Sequence, residues 1–188
     1  MISALTDQLK KRLSPARYEH SIEVASIASR LASHYGLDPQ KAEIAGLLHD
    51  CAKEIPFPLL YAHAEKSGRM LDEIEMKNPK LLHALVGADI AFHEFGIKDH
   101  DILSAIAKHT TGSKAMSPLD QIVYVADYLD PLRELDNLAL LQKLAYTNLD
   151  LAVSKIAGEM IQYLTDRERL IHPNTIECWN VHVEKKNL

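Results

Sequence analysis

The sequence predicts an all-α fold, and three observations carry that expectation. Helix punctuation is legible along the chain, apolar residues recur at three- and four-residue spacing, and strand signals are nearly absent. No hairpin dipeptide is flanked by alternating β-branched residues, and no strand-helix-strand rhythm occurs. Ser14-Pro15 suits a cap followed by the first helical residue, Gly36 suits the end of that helix, and Asp38-Pro39 suits the start of the next. Between them Val24, Ala28, Leu31 and Tyr35 share one helical face, which Ile27 widens toward a core. Further helices are expected at 58–67, 79–95, 101–109, 118–129, 138–146, 149–164 and 174–185. Breaks fall at Pro56-Phe57-Pro58, Gly68, Gly112 and Pro131, and residues 132–137 read as a turn or a short extra helical turn at a site mouth.

A chain of 188 residues suits one domain. Its core is expected over about 17–133, with C-terminal helices at 138–185 packed on it. The composition is 47% hydrophobic and 25% charged but 6% aromatic, which leaves little for stacking single-stranded bases. With a net charge of -5 and 21 scattered basic residues, a nucleic-acid partner is not expected. A polyanionic substrate would then need a locally positive site, which bound cations can supply in an acidic protein. Cys51 and Cys178 form no disulfide framework or zinc-knuckle spacing, so a reducing cytoplasm is the expected setting. The opening MISALTDQLKKRL has no continuous apolar core and reads neither as a signal peptide nor as a membrane span.

The chemistry is concentrated in a few polar residues within apolar runs. In AEIAGLLHDCAKEI, His49 and Asp50 interrupt what reads as a buried helix running from Ile44 to Ala52. Asp127 does the same in IVYVADYL. A buried carboxylate costs several kcal/mol unless it is paired, hydrogen-bonded or bound to a cation, so each needs a partner. His20 lies one turn before the stripe that begins at Val24, His83 shares a face with Val86, Gly87 and Ile90, and His109 shares one with Ile102, Ala105 and Ile106. Four inward histidines and two carboxylates make a nitrogen and oxygen donor set that suits iron, manganese, cobalt, nickel or zinc. Asp50 is placed to bridge two ions. A buried salt-bridge network is the alternative. Histidines 34, 63, 93, 100 and 182 read as solvated or capping groups, while His172 in IHPNT either contacts substrate or closes the C-terminal fold.

The order His20, His49-Asp50, His83, His109, Asp127 resembles the HD-domain phosphohydrolases. RYEHSIEVA, AGLLHDCAK, LLHALVGA, KHTTG and YVADYLDPLRE resemble more closely the YqeK family within them, from Arg17 to the HPNT segment at 172–175. That resemblance implies an HD-domain helical bundle with one or two ions, commonly iron, held by His20, His49, Asp50, His83, His109 and Asp127. It implies hydrolysis of diadenosine tetraphosphate to two ADP by water that the ions activate, with Asp50, Lys53, His83 and His109 in catalytic positions. Substrate contacts are expected from Arg17, His20, Lys53, His83, His109, Thr110, Thr111, Asp127, Arg133, His172 and Thr175. Asp130 and Leu132 depart from the glutamate and polar residue expected before Arg133. The partner expected is a small nucleoside polyphosphate, with no membrane, and a homodimer stays open. A nucleotidase or phosphodiesterase acting on another nucleotide, or a non-enzymatic regulator that binds metal or nucleotide, are the alternatives.

Overall fold

In the computed structural model, which describes residues 2–68, 70–133 and 136–186, helices begin where the sequence supplies acceptors for orphan N–H groups. The Asp38 side chain accepts from the N–H groups of Gln40 and Lys41 and opens α3 (Pro39–Leu48). Asp99 accepts from those of Asp101 and Ile102 and opens α7 (His100–Lys108). Ser117 and Asp120 form a reciprocal capping box at α8 (Pro118–Tyr128), and Asn148 caps α10 (Leu149–Thr165). The remaining helices are α1 (Ile2–Lys10), α2 (Pro15–His34), α4 (Phe57–Lys66), α5 (Glu73–Lys77), α6 (Leu82–His93), α9 (Leu138–Thr147) and α11 (Pro173–Lys186). No strand occurs among the described residues, as the sequence predicts.

Two local expectations are corrected, and two helices appear that the sequence reading does not contain. The N-terminal segment forms α1, whose Leu5 and Leu9 are buried. The helix expected at 79–95 divides into a 3-10 turn, Pro79–Leu81, and α6. A short helix, α5, precedes that turn and rests on an Asp72–Glu75 capping box, too short to show periodicity. The helix read through Ala52 ends at Leu48, and His49 to Glu54 follow as successive turns with bonds such as Cys51 N–H to Leu48 O at 3.1 Å and Lys53 N–H to Asp50 O at 2.9 Å. The segment at 132–137 contributes a 3-10 turn over Pro131–Arg133, while residues 134 and 135 lie outside the described residues.

One hydrophobic cluster runs from Leu5 on α1 to Cys178 on α11, so α9, α10 and α11 share their core with the earlier helices. Leu31, Leu48, Ile106, Ile122, Leu141 and Ile156 are among its fully buried members, each stabilising the fold by about 1.5–3 kcal/mol on burial. Tyr35, last of the sequence-predicted α2 stripe, donates its hydroxyl to Ala145 O at 2.7 Å and ties α2 to α9. Helices α2 and α3 pack closely because Gly46 has no side chain. A Cβ there would lie 2.9 Å from Ala25 Cα and 3.0 Å from Val24 O. No helix among the described residues is long and apolar enough to cross a membrane.

Candidate metal centre

Five helices deliver the six residues that the sequence singles out. His20 projects from α2 and Asp127 from α8, His83 lies in the first turn of α6, and His49 and His109 stand at the C-terminal ends of α3 and α7. Asp50 follows His49 in the turn beyond α3. Close packing at Gly46 draws His20 and His49 together, with Nε2 atoms 3.2 Å apart. The Nε2 atoms of His83 and His109 are 3.1 Å apart.

Asp50 stands between these pairs. Its Oδ1 lies 3.1 Å from His83 Nε2 and 3.4 Å from His109 Nε2, and its Oδ2 lies 3.7 Å from His49 Nε2. Asp127 Oδ1 is 3.2 Å from His20 Nε2 and 3.7 Å from His49 Nε2. Potential ligand atoms of His20, His49 and Asp50, of His49, His109 and Asp127, and of Asp50, His83 and His109 lie within 4.8 Å of one another in each group.

The outer ring nitrogens fix the tautomers. His49 Nδ1–H donates to Gly46 O and His109 Nδ1–H to Ile106 O, both at 2.7 Å, and His83 Nδ1–H donates to Lys80 O. His20 Nδ1–H donates to Asp130, a buried carboxylate that also accepts Leu132 N–H at 3.0 Å. Every one of these acceptors lacks a proton to give, so in each neutral ring Nε2 carries the bare lone pair. Bare acceptors facing one another at hydrogen-bond distance repel unless a cation lies between them, which is what a metal-ligand set with outer-sphere partners requires.

Electrostatics agree for His49 and His83, whereas at His20 the effect of burial is outweighed by Asp127 and Asp130, which raise that imidazole above its ordinary value. Burial pushes the His49 imidazole down to about 4, so the ring is neutral and able to ligate at ordinary pH, and burial lowers His83 as well. For Asp50, burial alone would favour the neutral acid, but His49, His109, His83 and Lys53 together hold its carboxyl well below the usual range. Burial likewise opposes ionisation of Asp127, and the hydrogen bond that His20 Nε2 donates when its ring is protonated, with the charge of Arg133, overcomes it.

Two cations of the protein close the mouth of the centre. Lys53 Nζ is 3.2 Å from Asp50 Oδ1 and 3.0 Å from His83 Nε2, and Arg133 Nη2 is 2.6 Å from Asp127 Oδ1. The ion pairs of the alternative reading are therefore present, but both carboxylates also turn toward the same histidines. Arg17 Nη1 approaches Asp50 Oδ2 at 3.5 Å. Thr110 Oγ1 lies 3.0 Å from His109 Nε2 and 3.2 Å from His83 Nε2.

Thr110 and Thr111 also line a more enclosed cavity of about 210 Å³, together with Lys108, Ser113, His172 and Asn174. His172 is buried, donates Nε2–H to Asp72 Oδ2 at 2.8 Å, and accepts Asn174 N–H on Nδ1 at 3.1 Å. It thus closes the fold before α11 and at the same time lines that cavity. Thr175 is buried in the first turn of α11, with its N–H on His172 O, and does not line the cavity.

Sequence reasoning missed Asp130, read as a family departure, although a carboxylate between Leu129 and Pro131 needs a partner as much as Asp127 does. The expectation of a solvated His182 is corrected. It is buried, with Nδ1 2.8 Å from Cys178 O, because α11 turns that face onto the core. Histidines 34, 93 and 100 are exposed and His63 is half-buried. Neither cysteine joins the centre, and burial pushes the Cys51 thiol up to about 12 and the Cys178 thiol up to about 11.

Comparison with known proteins places these residues in a wider setting. Residues 17–132 match the HD domain family. The chain is 35% identical over 175 residues to a symmetrical bis(5'-nucleosyl)-tetraphosphatase of Bacillus subtilis (strain 168), covering 92% of each chain. It is 32% identical over 181 residues to an enzyme of the same name from Staphylococcus aureus (strain NCTC 8325 / PS 47), covering 92% of this chain and 90% of that one. A solved HD superfamily hydrolase from Clostridium acetobutylicum, described as involved in NAD metabolism, superposes with a TM-score of 0.95 at 38% identity over 98% of each chain.

Proposed function

The chain belongs to the HD domain family, on the branch of the symmetrical bis(5'-nucleosyl)-tetraphosphatases, and from that premise we propose that it hydrolyses diadenosine tetraphosphate to two ADP. One observation carries the chemistry: four imidazole Nε2 atoms and both oxygens of Asp50 converge, while every Nδ1 is tied outward. His20, His49, Asp127 and Asp50 Oδ2 would hold one ion, and Asp50 Oδ1, His83 and His109 a second. Iron is the ion the family resemblance implies, and the same donors suit manganese, cobalt, nickel or zinc. When bound, two cations clamp a phosphate, lower the pKa of water between them and stabilise charge on the leaving oxygen.

The protein's own residues do the rest. Lys53, Arg17 and Arg133 border the open side of the centre and are placed to hold phosphate oxygens by charge-assisted bonds. Thr110 and Thr111 orient the substrate toward the cavity they line, where His172 and Asn174 bound its far side. Water adds across the central phosphoanhydride bond, so each half of the symmetric substrate leaves as ADP. Two buried, unpaired cysteines suit a reducing cytoplasm.

The test joins two measurements on the purified protein: metal content, and chromatography of the products from diadenosine tetraphosphate. ADP alone is expected. A mixture of ATP and AMP would overturn symmetrical cleavage, and full activity without any bound metal would overturn the centre.

A further inference from the structure

Beside the metal centre, Ile55, Pro56, Phe57 and Lys80 join Arg17 and Lys53 around a hollow of about 340 Å³ that shares no residue with the cavity beyond Thr110. Its inner wall belongs to the centre, since Lys53 Nζ reaches Asp50 Oδ1 at 3.2 Å and Arg17 Nη1 reaches Asp50 Oδ2 at 3.5 Å. Lys80 is tied to the same place through its backbone carbonyl, which accepts His83 Nδ1–H. Phe57, 45% exposed, forms the outer wall at the start of α4, a helix that buries Leu60 and Ala64 instead.

The charge is one-sided. Among the lining residues three cations face one acid, Glu54, which is already engaged by Ser14 N–H at 2.8 Å, Ser14 Oγ at 2.6 Å and Arg17 Nε at 3.6 Å, and behind them Lys53 and Arg17 share Asp50. Lys80 has no acidic partner among the described residues.

We propose that this hollow seats the second nucleotide of a dinucleoside polyphosphate, with its base stacked on Phe57 and its phosphates on Lys53, Arg17 and Lys80. The inference rests on the proposed function and deepens it. A substrate with a nucleoside at each end must place two bases. The cavity beyond Thr110, at about 210 Å³, is smaller than the roughly 300–1,000 Å³ that holds a drug-sized ligand, so it cannot seat both. An exposed aromatic face beside clustered cations binds the remaining half, because every base offers a π-face and every phosphate a charge. Recognition by the face alone makes this end tolerant of the base it meets.

Steady-state kinetics of Phe57→Ala and Lys80→Ala test the assignment, with adenosine 5'-tetraphosphate as a competing ligand that keeps four phosphates but lacks the second nucleoside. Phe57→Ala should raise KM for diadenosine tetraphosphate roughly 10- to 100-fold, the range expected for one lost base stack, and leave kcat and the inhibition constant of adenosine tetraphosphate unchanged. Phe57→Trp should restore the wild-type KM. Lys80→Ala should weaken substrate and inhibitor together. Normal wild-type turnover with an unchanged KM in Phe57→Ala would overturn the subsite alone, as would equal weakening of substrate and inhibitor in that variant. Absence of wild-type turnover of the dinucleotide would overturn the proposed function and the subsite with it.

Discussion

Each candidate ligand histidine is aimed by its second nitrogen, and three of the four rest on backbone carbonyls that no substitution removes. His20 differs: its outer partner is the Asp130 side chain, so its aim is open to mutation. Asp130→Ala should weaken binding of the His20-side ion about 10- to 100-fold, measured by metal titration, with circular dichroism unchanged. Asp130→Asn keeps an acceptor and should lose less. Asp50→Ala removes a ligand from both halves at once, and loss of metal content together with turnover is expected in parallel assays. A normal rate with full metal content would refute bridging. The six convergent residues were legible because a charge or imidazole in an apolar run is an anomaly visible in one dimension. Asp130 and Phe57 were not, since one sits in a Pro-marked turn and the other acts by lying beside residues distant in sequence.

At the level of helices, punctuation told more than periodicity. Asp38 caps α3 as its place before Pro39 suggests and Ser14 stands at the start of α2 but turns its hydroxyl to Glu54, while His49 and Asp50 were misplaced on a helix because apolar residues continue unbroken through its end. The ends matter: Asp50 leaves α3 in a turn and so can face both histidine pairs. Gly46→Ala tests how the helices are held together. Alanine gains roughly 1 kcal/mol in helix propensity over glycine, but its Cβ would meet Ala25 backbone at 2.9 Å, and overpacking of about 1–3 kcal/mol should win. A lower melting temperature and weaker metal binding are expected, and an unchanged melting temperature would deny the close fit. Gly112, in the KHTTG run, has φ +64° and a Cβ there would stand 2.6 Å from Cys178 Sγ. Gly112→Ala should therefore destabilise, and pairing it with Cys178→Ala should recover part of the loss.

For the molecule as a whole, an ion held at the proposed centre would link binding to folding, because its candidate ligands come from five helices and meet only in the native state. Adding ion to about a hundredfold excess over its dissociation constant should stabilise the fold by roughly 2.7 kcal/mol, seen as a rise in melting temperature. The metal-free protein should also be acid-sensitive. His49 titrates near 6.5 when unfolded and at about 4 when folded, so its neutral form is fully compatible with the fold above 6.5. Between those values the unfolded chain binds the extra proton, and stability should fall as pH drops, by about 3 kcal/mol at most. Calorimetry from pH 7 to pH 4 would show it, and a flat profile would contradict a neutral, sequestered His49.

The two chambers flanking the centre differ in shelter, one tucked behind Thr110 and the other bordered by exposed Phe57. If each seats one half of the dinucleotide as proposed, cleavage leaves one ADP in each, and the two should depart in sequence rather than together. On that reading the ADP beside Phe57 should diffuse away before its twin in the recess, and added ADP should slow the following cycle, which product-inhibition kinetics would show.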